Sequence, residues 1–588
     1  MRHNAFAKII AVLACASISA PAALFANGGG QTSGPVGAVN YLDQGIKWAP
    51  AARADFYTRD QGSTMIPLGW LKALRTVDGK PFLADSLARY GYLPNPDDDD
   101  GLPVGFTASG PTGNQMVGMT CAACHTRQIT VDDKDYRVDG GPAIVDFQAF
   151  LREMTDAVGR ALASDAAFAD FAKSVIGPAA PPASVADLRQ DVALWYLREG
   201  TLMDRALPTK VPWGLGRLDA VAMIFNRLTG LDLGPAPSYL IADNIQPADA
   251  PVRYPFIWNA PIQDKTQWPG FADNGNDLLG LSRNLGEVYG VFGTFRPKKE
   301  WWHLAGVNFL SDNSANFDGL NRLEGLVRKI GAPQWPWSID AVLAQRGATV
   351  FTQDAPGGSC ASCHAEKPGK VRFFNQQTWA TPVLDVGTDS REYAILGREA
   401  QTGSLQGAWI PFLLPKIKPR EKAFSILAVS VVGSIVQNYT TLKTPKLGAT
   451  AMAAPQAVPM SLPTTPSQAE LRGAFHIAEA SAPTMQFAYE SRVLKGIWAA
   501  APYLHNGSVP TLADLLKPAA ARPVTFSVGR YFDKASVGLA ADQHGSSYSR
   551  TTTGCEARDS GNSRCGHDFG TTLPDADKRA LLEYLKTL

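Results

Sequence analysis

The chain has no surplus of charge of one sign: Lys and Arg number 55 against 54 Asp and Glu in 588 residues. That balance leaves no basic field to attract nucleic acid and no acidic tail. Cysteine is scarce. Seven in the whole chain are far too few for a scaffold built from disulfides. Long apolar runs are scarce as well. Beyond the first 26 residues the one that stands out, Ala423 to Val436, has 14 residues, short of the roughly 20 that a membrane helix needs. It reads as a buried core helix, and no membrane span is expected. No strand-rich segment and no clean repeat stand out. With 45% hydrophobic and 19% charged residues, a sizeable core is available and wholesale disorder is excluded. Gly 54 and Pro 42 exceed average usage and predict many loops and turns.

Residues 1–26 read as a secretory signal. Arg2 and Lys8 supply the positive start, an apolar stretch opens at Ile9, and small residues lead to Ala26. Lipid attachment at Cys15 is the alternative. The mature protein is expected to be periplasmic or secreted.

The cysteines after the signal carry the chemistry. Cys121-Ala122-Ala123-Cys124-His125 and Cys360-Ala361-Ser362-Cys363-His364 repeat one framework, Cys-x-x-Cys-His, the attachment signal of c-type haem. Two thiols about one turn apart can each add to a vinyl group on one porphyrin edge, and the following imidazole then faces the iron. At this composition about 0.001 such matches are expected by chance, so two in an exported chain are a strong signal. A zinc site and a redox dithiol are the competing readings, but structural zinc pairs lie much closer together in sequence. Two covalently bound c-type haems are therefore expected. Cys555 and Cys565 read most simply as a disulfide closing a short loop, with a free redox pair as the alternative.

The spacing suggests a mainly α protein: two cytochrome c-type haem domains with long loop-rich insertions. The expected boundaries are 27–334 for an N-terminal, catalytic-haem domain and 335–588 for a C-terminal, electron-transfer domain, divided near Pro333-Gln334-Trp335-Pro336. Helical patterns lie at 63–75 and 144–163, the latter with Phe147, Phe150, Leu151, Met154 and Val158 on one face. Ser338 can cap a helix bearing Ile339, Val342, Leu343, Val350 and Phe351. A last helix begins at Pro574 and aligns Leu581, Leu582 and Leu585. The Thr, Ala and Pro-rich stretch 444–466 reads as a linker. Asp97 to Asp100 reads as a solvated turn, with a cation site as the alternative.

Further motifs carry a resemblance. Leu102-Pro103-Val104-Gly105-Phe106-Thr107 precedes the first haem motif, and Asp139-Gly140-Gly141-Pro142 follows it. Gln267-Trp268, Arg283-Asn284, Gly496-Ile497-Trp498, Tyr503-Leu504-His505-Asn506-Gly507 and Gly566-His567-Asp568-Phe569-Gly570 come in the same order as in a known group. The chain resembles the di-haem cytochrome c peroxidase and MauG superfamily over roughly residues 60–588, and within it the branch that contains bacterial di-haem rubber oxygenases. The resemblance implies that the haem at Cys121 and Cys124 is catalytic, with His125 below the iron and an open upper face. It implies that the haem at Cys360 and Cys363 is an electron reservoir held by His364 and by His567. A calcium ion between the halves is common among peroxidase-type relatives.

Individual residues follow from this frame. Gly566 would let the backbone near His567 approach closely. His505 reads as a contact near the haem or its propionates. Trp268 reads either as an electronic bridge or as an ordinary core residue. Gln267 and Glu287 are candidates for the distal pocket, where peroxide cleavage needs a group that moves a proton between oxygens. Glu287 could instead pair with Arg283 along a helix. Arg283 could steady charge on a leaving oxygen or hold a propionate. The leading expectation is reduction of hydrogen peroxide, with electrons from a small periplasmic cytochrome or copper protein. The alternatives are a dioxygen-dependent oxygenase acting on an unsaturated polymer such as polyisoprene, and an electron-transfer cytochrome without substrate chemistry.

Overall fold

The computed structural model describes residues 39–303, 306–354, 358–372, 376–409, 416–441, 487–546 and 548–588. The signal at 1–26 and the linker at 444–466 lie outside them. Helix makes up 38% and strand 16%, which corrects the mainly α expectation: this is a mixed fold with many small sheets. The strands are two to six residues long, in sheets of two or three. Runs so short cannot display an alternating pattern, so only the Gly and Pro excess hinted at them.

The longest hairpin joins Thr126–Val131 to Lys134–Asp139. Its two-residue turn, Asp132 and Asp133, has φ of 49° and 58°, the left-handed pair that a tight hairpin requires. It starts immediately after His125. A second sheet, with Phe106–Ser109 beside Met116–Met119, leads the chain into Cys121.

Helices frame these sheets. Phe147–Leu162 starts where Asp146 accepts from the Ala149 N–H at 2.9 Å, and it buries the predicted apolar face. The pattern at 63–75 forms a helix only over Leu68–Ala73, because Ile66–Pro67 pairs as a strand with Met116–Val117. Asn276 caps Asp277–Gly290, which carries Arg283 and Glu287. Ala423–Thr441 is the expected core helix; it lies against Asp277–Gly290, where the Tyr289 and Ser434 hydroxyls meet at 2.7 Å. Among the described residues no helix is long and apolar enough to cross a membrane.

Ala341–Thr352 begins at Asp340 rather than Ser338: the Asp340 carboxylate accepts from the N–H groups of Val342 and Leu343. Val342 is exposed, and the buried face is Ala344, Gly347, Val350 and Phe351. This helix crosses Asp575–Leu585. A Cβ at Gly347 would sit 2.0 Å from the Ala580 carbonyl oxygen, so only glycine permits the crossing.

Two large apolar cores and a small cluster of Val252, Trp268 and Tyr489 form among the described residues. One gathers residues from Met65 to Leu320 and adds Ile395 to Ile435; the other joins Leu42 to Tyr57, Ala122 to Val138, Leu323 to Phe351 and Ile497 to Leu585. Sequence order and spatial order therefore interleave. Asp97–Asp100 lies in a turn, with Asp100 paired to Lys72 at 2.6 Å.

Candidate haem sites

Cys121–Cys124 forms one short helical turn. Gly105, at φ +82°, presses against it so closely that a Cβ would lie 1.9 Å from the Ala123 nitrogen. The His125 Nδ1–H donates to the Pro255 carbonyl at 2.9 Å, which leaves Nε2 free to bind a metal, the arrangement that fixes a metal-binding imidazole. Burial pushes its pKa down to about 4, so the ring is neutral. The loop beyond is knitted to the hairpin. The Gly140 N–H donates to the His125 carbonyl at 2.8 Å, and the buried Asp139 carboxylate accepts from Trp48, Arg53 and Tyr57.

Beside this motif lies a cavity walled by Val221, Ile224, Phe225, Phe271, Leu279, Leu427, Val431 and Val432, with Gln267, Arg283 and Glu287 at its polar edge. The charges of Glu287 and Arg283 act on the Cys121 thiol, which burial raises to about 12. Gln267 Nε2 donates to Glu287 Oε1 at 3.0 Å, and burial holds the Glu287 carboxyl above the usual range. Arg283 is committed elsewhere. Its guanidinium pairs with Glu324, donates to Asn274 Oδ1 at 2.6 Å and to Asn284 Oδ1 at 3.1 Å. Glu287 thus takes its hydrogen bond from Gln267, while Arg283 ties the helix to Glu324.

Cys360–His364 is the second helical turn. The His364 Nδ1–H donates to the Arg492 carbonyl at 2.8 Å, repeating the arrangement at His125. Across an apolar cleft lies His567, its ring centroid 6.1 Å from that of His364. Two metal–imidazole bonds of about 2.0–2.1 Å, plus about 1.1 Å from each nitrogen to its ring centre, would separate the centroids by roughly 6.3 Å. The pair is spaced to grip one metal from both sides. His567 Nδ1 is buried without a hydrogen-bond partner, and burial with the nearby His364 lowers its pKa to about 3.

The loop that presents His567 is held on several sides. Cys555 and Cys565 are joined by a disulfide. His567 sits at φ +55°, after Gly566 at φ +75°. A Cβ at Gly566 would meet the Gly387 carbonyl carbon at 2.3 Å. Arg522 donates to the carbonyls of Arg564, Gly566 and His567 at 2.7, 2.6 and 3.0 Å. The amide of Asn506 and the hydroxyl of Ser508 both donate to the Ser563 carbonyl, so the 503–510 motif fastens the same loop.

His505 is not opposite His364. It stacks on Tyr489, with centroids 3.8 Å apart, and tilts toward Trp268 at 6.5 Å. Both His505 and Trp268 line the second cleft. Gln267 has φ +66° and faces the first cavity, so two adjacent residues face different cavities.

The donor set suits a covalently attached haem at each motif: paired free thiols, a neutral imidazole oriented by a carbonyl, and an apolar cleft. Among the described residues no group of three or more His, Cys, Asp or Glu side chains converges on a metal site. The zinc reading therefore finds no such cluster among these residues. Sequence reasoning missed Arg253, Arg492 and Glu490, which line the second cleft, and the carbonyls of Pro255 and Arg492. A buried arginine carries no local signal that separates it from a surface one; only the apolar neighbours Val252 and Tyr254 hint at Arg253.

Residues 488–527 match a family described as RoxA-like, cytochrome c-like. The matched segment contains Tyr489, Glu490, Arg492 and His505, all on the wall of the second cleft. The match marks a cytochrome c-like domain in this part of the chain, which implies a c-type haem and suggests a haem oxidoreductase. Two relatives from Sinorhizobium fredii (strain NBRC 101917 / NGR234) are similar to it. Uncharacterized protein y4iJ is 29% identical, covering 94% of this chain and 93% of the relative. Uncharacterized protein y4iM is 27% identical, covering 57% of this chain and 63% of the relative.

Proposed function

We propose that the chain is an exported two-haem enzyme that oxidises an apolar, unsaturated organic substrate with dioxygen at the Cys121–Cys124 site. In this reading residues 27–334 supply most of the reaction chamber and 335–588 the electron-storing site, with Ala423–Thr441 reaching back to wall the chamber. A small redox protein of the same compartment is the proposed electron source. When bound, porphyrin iron supplies the redox chemistry: a face without a protein ligand can take an oxidant, and a site closed by two imidazoles exchanges single electrons.

The chain's own residues set the conditions. The Pro255 and Arg492 carbonyls hold His125 and His364 in the tautomer that presents Nε2. His567 closes the second site. The aliphatic and aromatic walls of the first cavity exclude water, and Gln267 donates to Glu287 and fixes its carboxyl group at the cavity edge.

The observation that carries this reading is the lining of the first cavity. Hydrogen peroxide is small and polar and has no use for walls of Val, Ile, Leu and Phe; a hydrocarbon chain is bound by them. Peroxide reduction is the second reading, favoured by Glu287, a buried carboxyl whose pKa burial raises, at the edge of the cavity. Two assays decide between them. The holoprotein is incubated with polyisoprene under air, and separately with reduced cytochrome c and hydrogen peroxide. Aldehyde or ketone products, with peroxide turnover no faster than free haem, support the oxygenase. Peroxide turnover without cleavage products selects the peroxidase. Failure of both assays, with no cyanide binding at either haem, leaves only electron transfer.

A further inference from the structure

A guanidinium taken out of water without a counter-ion is costly, so a buried arginine lacking one points to an anion that completes its site. Arg253 is such a group. Only 4% of it is exposed. Its Nε donates to the Leu504 carbonyl at 2.9 Å, and Nη1 reaches the Tyr254 carbonyl at 3.4 Å. Among the described residues Nη2 has no acceptor and no carboxylate lies within ion-pairing distance. The side chain lines the cleft that holds Cys360, Cys363, His364 and His567. Its guanidinium lies over the Trp268 ring, 4.8 Å from the centroid. Arg492 stands beside it, its Nε 3.3 Å from Glu490. Burial, with the like charge of Arg492, brings Arg253 down to about 9, while Tyr503 and Glu490 pull the other way.

Arg127 is also buried with Nε and Nη2 unpartnered, but it lines neither cavity, and two further buried arginines differ. Arg217 spends its donors on the Trp213 carbonyl and Asn562 Oδ1, and Arg550 on the carbonyls of Gly507 and Leu215. Neither lines the cleft.

We propose that Arg253 receives a propionate carboxylate of the haem attached at Cys360 and Cys363, with Arg492 as the second cation. This rests on the reading that the second motif carries a haem. The guanidinium fork matches a carboxylate in geometry. Arg253 would then give its charge to a propionate carboxylate while staying over Trp268, and Cys360, Cys363, His364, His567 and Arg253 would together hold the group.

The test uses the holoprotein and the variants Arg253→Gln and Arg253→Lys. Mass spectrometry first counts the haems; a chain without a second haem overturns the underlying reading, not the clamp. With both haems attached, spectroelectrochemistry reads the midpoint potential of the low-spin haem, and resonance Raman reads its propionate bending band. Arg253→Gln removes a cation, so the reduced form should weaken about tenfold against the oxidised form, a fall of about 59 mV for one electron. Arg253→Lys keeps the charge and loses the fork, so the potential moves less while the bending band still shifts. If Arg253→Gln does not fold, the Lys variant alone decides through that band. An unchanged band and potential in folded, fully haemylated variants would overturn the assignment.

Discussion

The rings of His364 and His567 face one another with their centroids 6.1 Å apart and their planes 42° from parallel. They come from opposite ends of the C-terminal half, so the spacing is a product of tertiary structure. His567→Gly removes one ring and suits the positive φ at that position. The second haem should then change from low spin to high spin and bind cyanide, and added imidazole should restore the low-spin spectrum. Visible and electron paramagnetic resonance spectra read this directly. An unchanged spectrum would show that His567 is no ligand.

The loop bearing His567 depends on Arg522. Substituting Arg522→Gln strips hydrogen bonds from three carbonyls, those of Arg564, Gly566 and His567. At roughly 1 kcal/mol or more for each buried acceptor left unpaired, a loss of about 3 kcal/mol is expected. Denaturant titration measures it, and a mixed-spin second haem should accompany it.

Glu287 offers a pH signature. Burial raises its pKa above the ordinary carboxyl range, so between the unfolded and folded values the folded chain holds a proton that the unfolded chain releases. The stability it contributes is therefore full below the unfolded pKa and is lost as pH rises through the folded one. Glu287→Gln cannot ionise. Relative to wild type, the variant should gain thermal stability as pH climbs through that window. If Glu287 also donates its proton in turnover, activity should fall by about 10²–10⁴-fold in the variant, and the alkaline limb of the wild-type pH–rate profile should vanish.

Gly105 controls the first attachment turn. Gly105→Ala would drive a Cβ to 1.9 Å from the Ala123 nitrogen, whereas Gly101→Ala, also at positive φ, meets nothing within 4 Å. The first variant should lose haem at Cys121 and Cys124. The second should keep both haems and lose only about 1 kcal/mol of backbone conformational preference. Mass spectrometry of the purified chains distinguishes them.

What could be read in advance was local chemistry. Two Cys-x-x-Cys-His frameworks raise the expectation of haem because the signal lies in spacing along the chain, and each places a buried imidazole directly after its thiol pair. The helix at Phe147–Leu162 was legible because its apolar stripe runs for about three turns, and Asp575–Leu585 because Pro574 marks its start and Leu581, Leu582 and Leu585 share a face. The short strands were not, because a pair such as Ile66–Pro67 exists only through its partner. The helix cap shifted from Ser338 to Asp340 because either residue can serve, and packing against Asp575–Leu585 chose between them. The wall of the second cleft was hidden for a different reason. Arg253, Trp268, Tyr489 and His567 are far apart in sequence, and only folding brings them to one cavity.

Gln267 and Trp268 share a peptide bond yet face different chambers. Remodelling either chamber at this point therefore disturbs its neighbour. A bulkier residue at 267, chosen to narrow the opening for substrate, would also tilt the indole that carries Arg253. The two cavities thus share one stretch of backbone, and a change that shifts the wall of one should shift the wall of the other.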